Sequence, residues 1–411
     1  MSRALLRYPE SFLALIEQVL EHPERNSDEA SEVLKEIFIG NGFLMPAEQD
    51  ELPMLKKRFE ALTSTPEALS LCILPTTECN FACPYCYEKL PPAVINEEVA
   101  HAITRNVEHR AGNLKRLDVV WFGGEPTIRV DIIERISRKL IEICRNNGME
   151  YSSSMVSNGS LLNRAAAEKL KRARVTKVQV TVDGNQASHD QRRPFKDGRG
   201  SYSTIMDNMG FMTEFFDEIT LRINIDTQSD EEFGQLLDTL KPFAEKIILF
   251  PAAVTVDGDE HNKSQSSALM AQYRRKTDRL AQMALGRGWP IYKGTFTSLR
   301  HFCQAYYLNN FIVMPDGSLY RCNYLMGAPE HRKGDIRNGF PEYSSEEIGF
   351  DPFSHPQCLK CKTLPLCMGG CLLAGDPGPG NPTRCWLRHN LDRLVVSAGT
   401  QLLARRDDHE R

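Results

Sequence analysis

The spacing of hydrophobic residues changes character twice along the chain. Up to about residue 66 they recur at helical intervals, first within residues 12–20 and then within residues 33–38. This pattern predicts a helical N-terminal segment over residues 1–66, which we interpret as a cap on the main domain.

Between residues 67 and 295, short β-rich runs alternate with amphipathic stretches such as 132–144 and 229–241. The β-rich runs stand at 69–75, 117–123, 152–158, 177–183, 219–225 and 246–251. Alternation of this kind is typical of βα units around a parallel sheet. We therefore predict an α/β fold, a partial (β/α)6 TIM-like barrel, with its chemistry in the loops at the carboxyl ends of the strands.

After residue 295 the pattern changes to short hairpin-like runs, with the sequence MPDG at 314–317 as a turn and a Gly- and Pro-rich stretch at 375–384. Such a region has little hydrophobic surface of its own, so we expect bound metal to hold it together. The prediction is a small cysteine-rich domain over residues 296–395, followed by a charged tail over 396–411.

Composition adds limits to this picture. A net charge of −4 over 411 residues provides no basic field for nucleic acid or anionic membranes. The sequence has no run of 18 apolar residues, so it predicts no membrane span. The N-terminus does not resemble a signal peptide, so we expect a cytoplasmic protein. Its twelve cysteines are then better explained as metal ligands than as disulfides.

Three of these cysteines follow directly on the first predicted strand, as Cys79-Asn-Phe-Ala-Cys83-Pro-Tyr-Cys86. Thiolates are preferred ligands of iron–sulfur clusters and of zinc, and three of them leave one metal position open. A structural zinc site is the alternative, although such sites are usually built from Cys-x2-Cys pairs. The spacing, with the aromatic Tyr85 before the last cysteine, resembles the signature of the radical S-adenosylmethionine superfamily.

That resemblance implies a 4Fe-4S cluster on these three cysteines, whose open iron binds the amino and carboxylate groups of S-adenosylmethionine. One electron then releases a 5′-deoxyadenosyl radical, so the cofactor carries the difficult chemistry.

Further cofactor residues are expected at the ends of the other predicted strands. Gly123, Gly124 and Glu125 belong to a GGEP sequence that matches the family motif for the methionine amino group, and consecutive glycines allow close backbone approach. The polar residues at the third and fourth strand ends are Ser157, Asn158, Thr181 and Asp183. On the fifth strand, Arg222 is the preferred partner of the cofactor carboxylate because guanidinium binds it bidentately, and Arg193 is the competing candidate.

Seven more cysteines follow in a regular order that resembles the auxiliary-cluster domain called SPASM. The resemblance implies two further 4Fe-4S clusters, an outer one on Cys358, Cys361, Cys367 and Cys385 and an inner one on Cys303, Cys322 and Cys371. Seven ligands for two clusters leave one position open or filled from elsewhere. A pair of zinc ribbons is the alternative. The two remaining cysteines, Cys72 and Cys144, are predicted to be buried structural thiols.

The combined architecture resembles maturases of ribosomally made peptides and, less closely, anaerobic sulfatase maturases, which form formylglycine. Sulfatase maturases typically carry Asp as a proton acceptor where this chain has Asn323, and a further cysteine where it has Asn309. We therefore expect a radical maturase that abstracts hydrogen from a precursor peptide and closes a carbon–carbon or thioether cross-link.

Two alternatives stay open: a sulfatase maturase, and an inactive iron–sulfur or zinc scaffold. The expected partners are the precursor peptide and an electron donor such as ferredoxin or flavodoxin. Docking of a leader peptide on the N-terminal segment is a further possibility without support in the sequence, and the residue that acts as catalytic base is not evident.

Overall fold

The computed structural model describes residues 10–25, 28–254, 263–291, 303–343, 350–371 and 385. The described residues form two compact units. The first contains those within 10–62 and 351–385, and the second contains those within 63–291 and 303–350. The predicted turn-rich stretch 375–384 and the charged tail lie outside the described residues.

The first unit begins with helices, as the hydrophobic spacing predicts. Its helices are α1 (Leu13–Glu21), α2 (Glu29–Gly40), α3 (Glu51–Thr63), α11 (Pro356–Leu359) and α12 (Leu364–Cys367). The side chain of Asp28 caps α2 by accepting a 3.0 Å hydrogen bond from the Ser31 amide. A small core of Val19, Leu34 and Phe38 joins the first two helices.

The second unit is an α/β partial barrel, and its described residues include nine strands. They are β1 (Ala68–Ile73), β2 (Arg116–Trp121), β3 (Glu150–Ser157), β4 (Val175–Thr181), β5 (Glu218–Ile225), β6 (Ile247–Ala253), β7 (Asn310–Val313), β8 (Ser318–Tyr320) and β9 (Gly334–Asp335). All six predicted strands are present, so the predicted fold class is confirmed.

Helices connect these strands and cover the sheet. They are α4 (Glu97–Arg110), α5 (Val130–Asn146), α6 (Arg164–Arg172), α7 (Gln186–Arg192), α8 (Tyr202–Phe215), α9 (Asp230–Leu240) and α10 (Lys263–Gly286). In α5, Ile133, Ile136, Leu140 and Cys144 are all buried against the sheet, as their spacing predicts.

The strand order is β6-β5-β4-β3-β2-β1-β7-β8-β9. Strands β1 to β6 pair in parallel, so their carboxyl ends meet at one edge of the sheet. β7 pairs in parallel with β1, with Asn310 opposite Ser70, and β8 then returns antiparallel through the predicted turn. Residues after Cys303 therefore extend the barrel sheet, whereas the sequence predicted a boundary at residue 296.

This fold holds the loops that follow β1 to β6 at one edge of the sheet, where the chemistry is expected. Along β2, β3 and β4 buried residues alternate with partly buried ones, and polar residues such as Ser154 and Gln179 stand at the partly buried positions. Of the helices that the structure describes, none is long and apolar enough to cross a membrane.

Candidate functional site

A cavity of about 440 Å³ lies within the second unit, at the carboxyl ends of the strands. The three cysteines of the first group, Cys79, Cys83 and Cys86, all line it. Eight of the predicted cofactor residues line it as well: Tyr85, Gly123, Gly124, Ser157, Asn158, Thr181, Arg193 and Arg222. The strand-end loops therefore converge on one cavity.

The three thiols of this cysteine loop lie close enough to influence one another. Burial raises the pKa of Cys79 to about 11, and the charges of Cys83 and Cys86 act in the same direction. Backbone amides donate to two of the sulfurs, that of Phe81 to Cys79 Sγ at 3.4 Å and that of Glu88 to Cys86. Hydrogen bonds of this kind stabilise thiolates that ligate a cluster.

Cys79, Cys83 and Cys86 all open onto one cavity, as the thiolate ligands of a 4Fe-4S cluster must. In a 4Fe-4S cluster each thiolate binds its own iron, so the sulfurs share a cavity without meeting at one point. Cys79, Cys83 and Cys86 therefore fit as ligands of a cluster with one open iron.

The two glycines of the GGEP sequence hold the base of the cysteine loop. A Cβ on Gly124 would stand 2.3 Å from the Glu78 carbonyl oxygen, and one on Gly123, at φ +116°, would stand 2.4 Å from that of Thr76. The Glu125 amide also donates a 2.8 Å hydrogen bond to the Glu78 carbonyl. Only glycine permits this approach, so the motif positions the loop as well as lining the cavity.

Glu125 is fully buried behind the cavity and does not line it. Its carboxylate accepts hydrogen bonds from the amide and hydroxyl of Thr127, from Ser157 Oγ at 2.9 Å and from the Asn158 amide at 2.6 Å. Burial raises its pKa and these four donors oppose the rise. Glu125 thus ties the ends of β2 and β3 together.

A second network links the cysteine loop to the end of β3. Asn158 Nδ2 donates to Asn80 Oδ1 at 2.8 Å, Asn80 Nδ2 donates to Ser160 Oγ at 2.9 Å, and Ser160 Oγ donates to Asn158 Oδ1 at 2.7 Å. Asn80 lies between the first two cysteines, and its part in this closed ring was not predicted from the sequence. The ring fixes where Cys79 sits relative to the sheet.

Tyr85 is anchored by its hydroxyl rather than left free in the cavity. The hydroxyl donates to Asp183 Oδ2 and accepts from Arg193 Nη1 at 2.7 Å and from Asn224 Nδ2 at 3.3 Å. Burial and the neighbouring Asp183 raise the pKa of this phenol, so it stays protonated and donates to the carboxylate. The Arg192 guanidinium lies over one face of the Tyr85 ring, 5.1 Å from its centroid.

Asp183 is fully buried and accepts a 2.9 Å hydrogen bond from the Asn224 amide. Its own amide donates to His189 Nδ1 at 3.1 Å, and His189 Nε2 lies 2.9 Å from Ser201 Oγ. Because the single Ser201 hydroxyl proton is donated to the Arg193 carbonyl at 2.6 Å, the serine oxygen accepts from His189. Burial lowers the histidine pKa to about 4, so a neutral ring with its proton on Nε2 completes the chain.

The two arginine candidates differ in how they are held. The guanidinium of Arg193 is bound to Tyr85 and lies 5.6 Å above the Phe81 ring. That of Arg222 lies 5.1 Å above the Phe250 ring and uses only Nε, which donates to Asn224 Oδ1 at 2.8 Å. Among the described residues no carboxylate forms an ion pair with Arg222, which leaves its two terminal nitrogens for a bound carboxylate.

The auxiliary cysteines are divided between the units. Cys358, Cys361, Cys367, Cys371 and Cys385 belong to the first unit, and Cys303 and Cys322 to the second. Burial raises the pKa of Cys367 to about 11, and the charges of Cys385, Cys358 and Cys361 act in the same direction. The structure thus brings together the four thiols that the SPASM resemblance assigns to the outer cluster.

Several cavity residues were not predicted from the sequence. They include Tyr87, Glu88, Asn310 and Tyr324, and Cys72 lines the cavity besides being buried as predicted. Burial raises the pKa of Glu88 to about 7, with a smaller contribution from Glu125. The position of Glu88 two residues after Cys86 was the one available signal, since it places a carboxylate beside the cysteine loop.

Comparisons with known proteins agree with this site. Residues 73–240 match the model of the Radical SAM superfamily. A serine-type anaerobic sulfatase-maturating enzyme of Klebsiella aerogenes is 24% identical over 315 residues, which cover 71% of this chain and 76% of that enzyme.

Two solved structures share the fold. One is native anSMEcpe with bound AdoMet and Cp18Cys peptide (TM-score 0.63, 19% identity, 81% of this chain and 99% of that one). The other is Streptococcus suis SuiB bound to precursor peptide SuiA (TM-score 0.52, 15% identity, 84% of this chain and 85% of that one).

A parallel partial barrel whose strand ends bring a Cys-x3-Cys-x2-Cys loop and a GGEP turn to one cavity defines an enzyme that uses S-adenosylmethionine and a 4Fe-4S cluster. Residues 73–240 belong to the radical SAM superfamily, and the chain is similar in sequence to anaerobic sulfatase-maturating enzymes and similar in fold to SuiB.

Proposed function

We propose that this enzyme modifies a polypeptide, abstracting hydrogen from a residue of a ribosomally made precursor peptide and joining that residue to a second one by a carbon–carbon or thioether bond. The observation that carries the proposal is the composition of the cavity. Next to the cysteine loop it contains Asn323 where the sulfatase maturases are expected to carry Asp.

The cluster and its cofactor, once bound, supply a 5′-deoxyadenosyl radical to this cavity. The chain's own residues hold the cofactor and exclude water. Cys79, Cys83 and Cys86 would ligate the cluster, and Arg222 has two free nitrogens for the cofactor carboxylate. The Tyr85 ring, fixed through its hydroxyl, provides a flat surface for the adenine.

The relatives support a polypeptide substrate. The Klebsiella aerogenes enzyme is named for maturing a sulfatase, and the two structural neighbours were solved with bound peptides. In this chain the cavity is also lined by residues outside the predicted cofactor set, among them Ser70, Asn310 and Tyr324. We propose that a side chain of the bound peptide contacts these residues.

Asn323 supports a cross-link over formylglycine. Its Oδ1 accepts a 3.3 Å hydrogen bond from Gln304 Nε2, and an amide has no basic oxygen with which to remove a proton at neutral pH. Formylglycine formation must take a proton from the oxidised carbon's heteroatom, whereas coupling of two residues relies less on a base. The cross-link removes two hydrogens in total. The 5′-deoxyadenosyl radical would take one as a hydrogen atom, and the other would leave as a proton to solvent while its electron passes to the auxiliary clusters.

We further propose that Cys358, Cys361, Cys367 and Cys385 hold an outer auxiliary cluster, and that Cys303, Cys322 and Cys371 contribute to an inner one. The grouping of the first four thiols supports this assignment. Ferredoxin or flavodoxin would then supply the electron that starts each turnover.

Formylglycine formation is the second candidate. It is favoured by the match to the Klebsiella aerogenes enzyme and by a TM-score of 0.63 to anSMEcpe. Among the described residues that line the cavity, Glu88 is the one carboxylate. It stands in a different loop from Asn323.

Co-expression of the enzyme with short reading frames that flank its gene tests the proposal. We expect a peptide that loses two mass units and resists fragmentation between the joined residues. Because oxidation of serine to formylglycine also removes two hydrogens, the product is treated with dinitrophenylhydrazine, which labels aldehydes only. A hydrazone would contradict the cross-link and support formylglycine, and an unmodified peptide set would contradict both.

A further inference from the structure

One wall of the cavity contains residues of β1, the start of β7 and Glu88, and two of its polar side chains have buried atoms that find no hydrogen-bond partner among the described residues. The first of these atoms is Glu88 Oε2. The second is Nδ2 of Asn310, the first residue of β7, which has only 5% of its surface exposed. Buried polar atoms are almost always paired, so these two indicate a missing ligand.

The two side chains are placed along β1. Asn310 lies opposite Ser70 in the sheet, and Cys72, two residues further on the same face of β1, lies near Glu88. The pKa of the Cys72 thiol is raised by burial first and then by the charge of Glu88, which supports their proximity. Two residues of strand span about 7 Å, so Ser70 beside Asn310 and Cys72 beside Glu88 are roughly that far apart along β1.

The charged residues of the cavity do not supply hydrogen-bond partners for the unpaired atoms of Glu88 and Asn310. Within the described residues Glu88 forms no ion pair, and the two arginines that line the cavity donate elsewhere, Arg222 to Asn224 and Arg193 to Tyr85. The terminal torsions of glutamate and asparagine rotate easily, so both groups can turn toward a ligand in the cavity.

An aromatic pair stands beside this wall. The rings of Tyr87 and Tyr324 stack with centroids 4.5 Å apart, and 38% and 48% of their surfaces are exposed. Tyr87 is adjacent to Glu88, so the pair lies at one end of this wall. Exposed tyrosines next to unpaired hydrogen-bonding groups are typical of surfaces that bind peptides.

We infer that Glu88 and Asn310 form a subsite that binds amide groups of an extended peptide substrate, with Glu88 accepting from an N–H and Asn310 Nδ2 donating to a C=O. Residues i and i+2 of an extended segment repeat at about 7 Å, which matches the spacing along β1. The inference rests on the proposed function for its substrate class. The amides are those of the peptide backbone, although Asn or Gln side chains offer the same chemistry.

A crystal soak tests the subsite without turnover. Crystals of the cluster-loaded enzyme with S-adenosylmethionine are soaked with N-acetylglycinamide, and parallel crystals with methylguanidinium. We expect N-acetylglycinamide bound between Glu88 and Asn310. Methylguanidinium at Glu88 with no bound amide, or an empty wall in both soaks, would overturn the inference. These results do not depend on whether a peptide is processed, so they separate this inference from the proposed function.

Kinetics with the peptide identified by co-expression provide the second test. Glu88→Gln and Asn310→Leu are each expected to raise the peptide KM about tenfold, the usual effect of losing one hydrogen bond to a charged or buried group. Glu330→Gln, at an exposed carboxylate of the same unit, is the control. Cluster content should match that of the unmodified enzyme in all three variants, and Glu330→Gln should also keep the unmodified rate of S-adenosylmethionine cleavage without peptide.

Substrate N-methylation avoids any dependence on variant folding. If backbone amides bind the subsite, methylation of one peptide nitrogen should raise KM by the same factor, and this effect should disappear in Glu88→Gln. A uniform response to every N-methylated peptide, or an effect confined to replacement of Asn or Gln side chains, would overturn the backbone assignment.

Discussion

The buried chain through His189 makes a pH-dependent prediction about stability. The neutral ring accepts from the Asp183 amide and donates to Ser201, and its pKa is lowered to about 4 by burial, with Arg193 acting in the same direction. In the unfolded chain the histidine regains a pKa near 6.5, so that state binds more protons below this pH. Stability from this group is therefore fully present above pH 6.5 and is lost as the pH falls toward 4.

The size of the effect follows from the two pKa values. Because the pKa of His189 differs between the folded and the unfolded chain, lowering the pH from 7.5 to 5.5 costs about 1.4 kcal/mol of folding free energy. This loss corresponds to about 3 to 5 °C in melting temperature for a unit of this size. His189→Gln keeps an amide oxygen and an amide nitrogen near the two ring positions but does not titrate. The variant should therefore lack this part of the pH dependence.

The assay is anaerobic thermal unfolding followed by circular dichroism at several pH values. Other titrating groups affect the original protein and the variant equally, so the difference between their melting temperatures isolates His189. We expect this difference to shrink by about 3 to 5 °C between pH 7.5 and pH 5.5. A difference that stays constant across this range would refute the neutral, buried histidine.

Three further predictions concern the residues around the cysteine loop. Gly124→Ala places a methyl group 2.3 Å from the Glu78 carbonyl oxygen and should destabilise the fold by about 1 to 3 kcal/mol, with loss of bound iron. The control is Gly112→Ala, which has open space around it and should change neither stability nor iron content. Thermal melts measure the stability and iron analysis measures the bound iron. Glu125→Gln should cost about 1 to 3 kcal/mol, because an amide cannot accept all four hydrogen bonds, and a melting temperature equal to that of the original protein would contradict the network. Tyr85→Phe releases three hydrogen-bond partners and should weaken S-adenosylmethionine binding about tenfold at unchanged iron content, as measured by equilibrium dialysis.

The fold could be predicted because its signals are local. Each barrel strand is a short β-rich run, and helix α5 shows its buried face in the spacing of Ile133, Ile136 and Leu140. The loops that carry the cysteines and the glycines could be placed because the strand ends of a parallel sheet meet at one edge. The pairing of β7 with β1 was not predictable, since β7 has only four residues and its partner lies more than 200 positions earlier.

The site was predictable in its ligands but not in its supporting contacts. The sequence placed Glu125 among the cofactor residues, and the structure buries it behind the cavity because four donors from β2 and β3 hold it there. No motif specifies the side chain at Asn80, His189 or Asn310. The roles of these residues depend on contacts with neighbours elsewhere in the sequence. Spacing along the chain contains no information about such partners.

The central claim is that Cys79, Cys83 and Cys86 hold the cluster that cleaves S-adenosylmethionine. The most direct measurement is 5′-deoxyadenosine formed by the anaerobically reconstituted enzyme with S-adenosylmethionine and dithionite. We predict 5′-deoxyadenosine from the original enzyme and from Cys144→Ala, a buried thiol on α5, and none from the variant with all three loop cysteines changed to alanine. Absence of 5′-deoxyadenosine from the iron-loaded original enzyme, or equal amounts from the triple variant, would contradict the account.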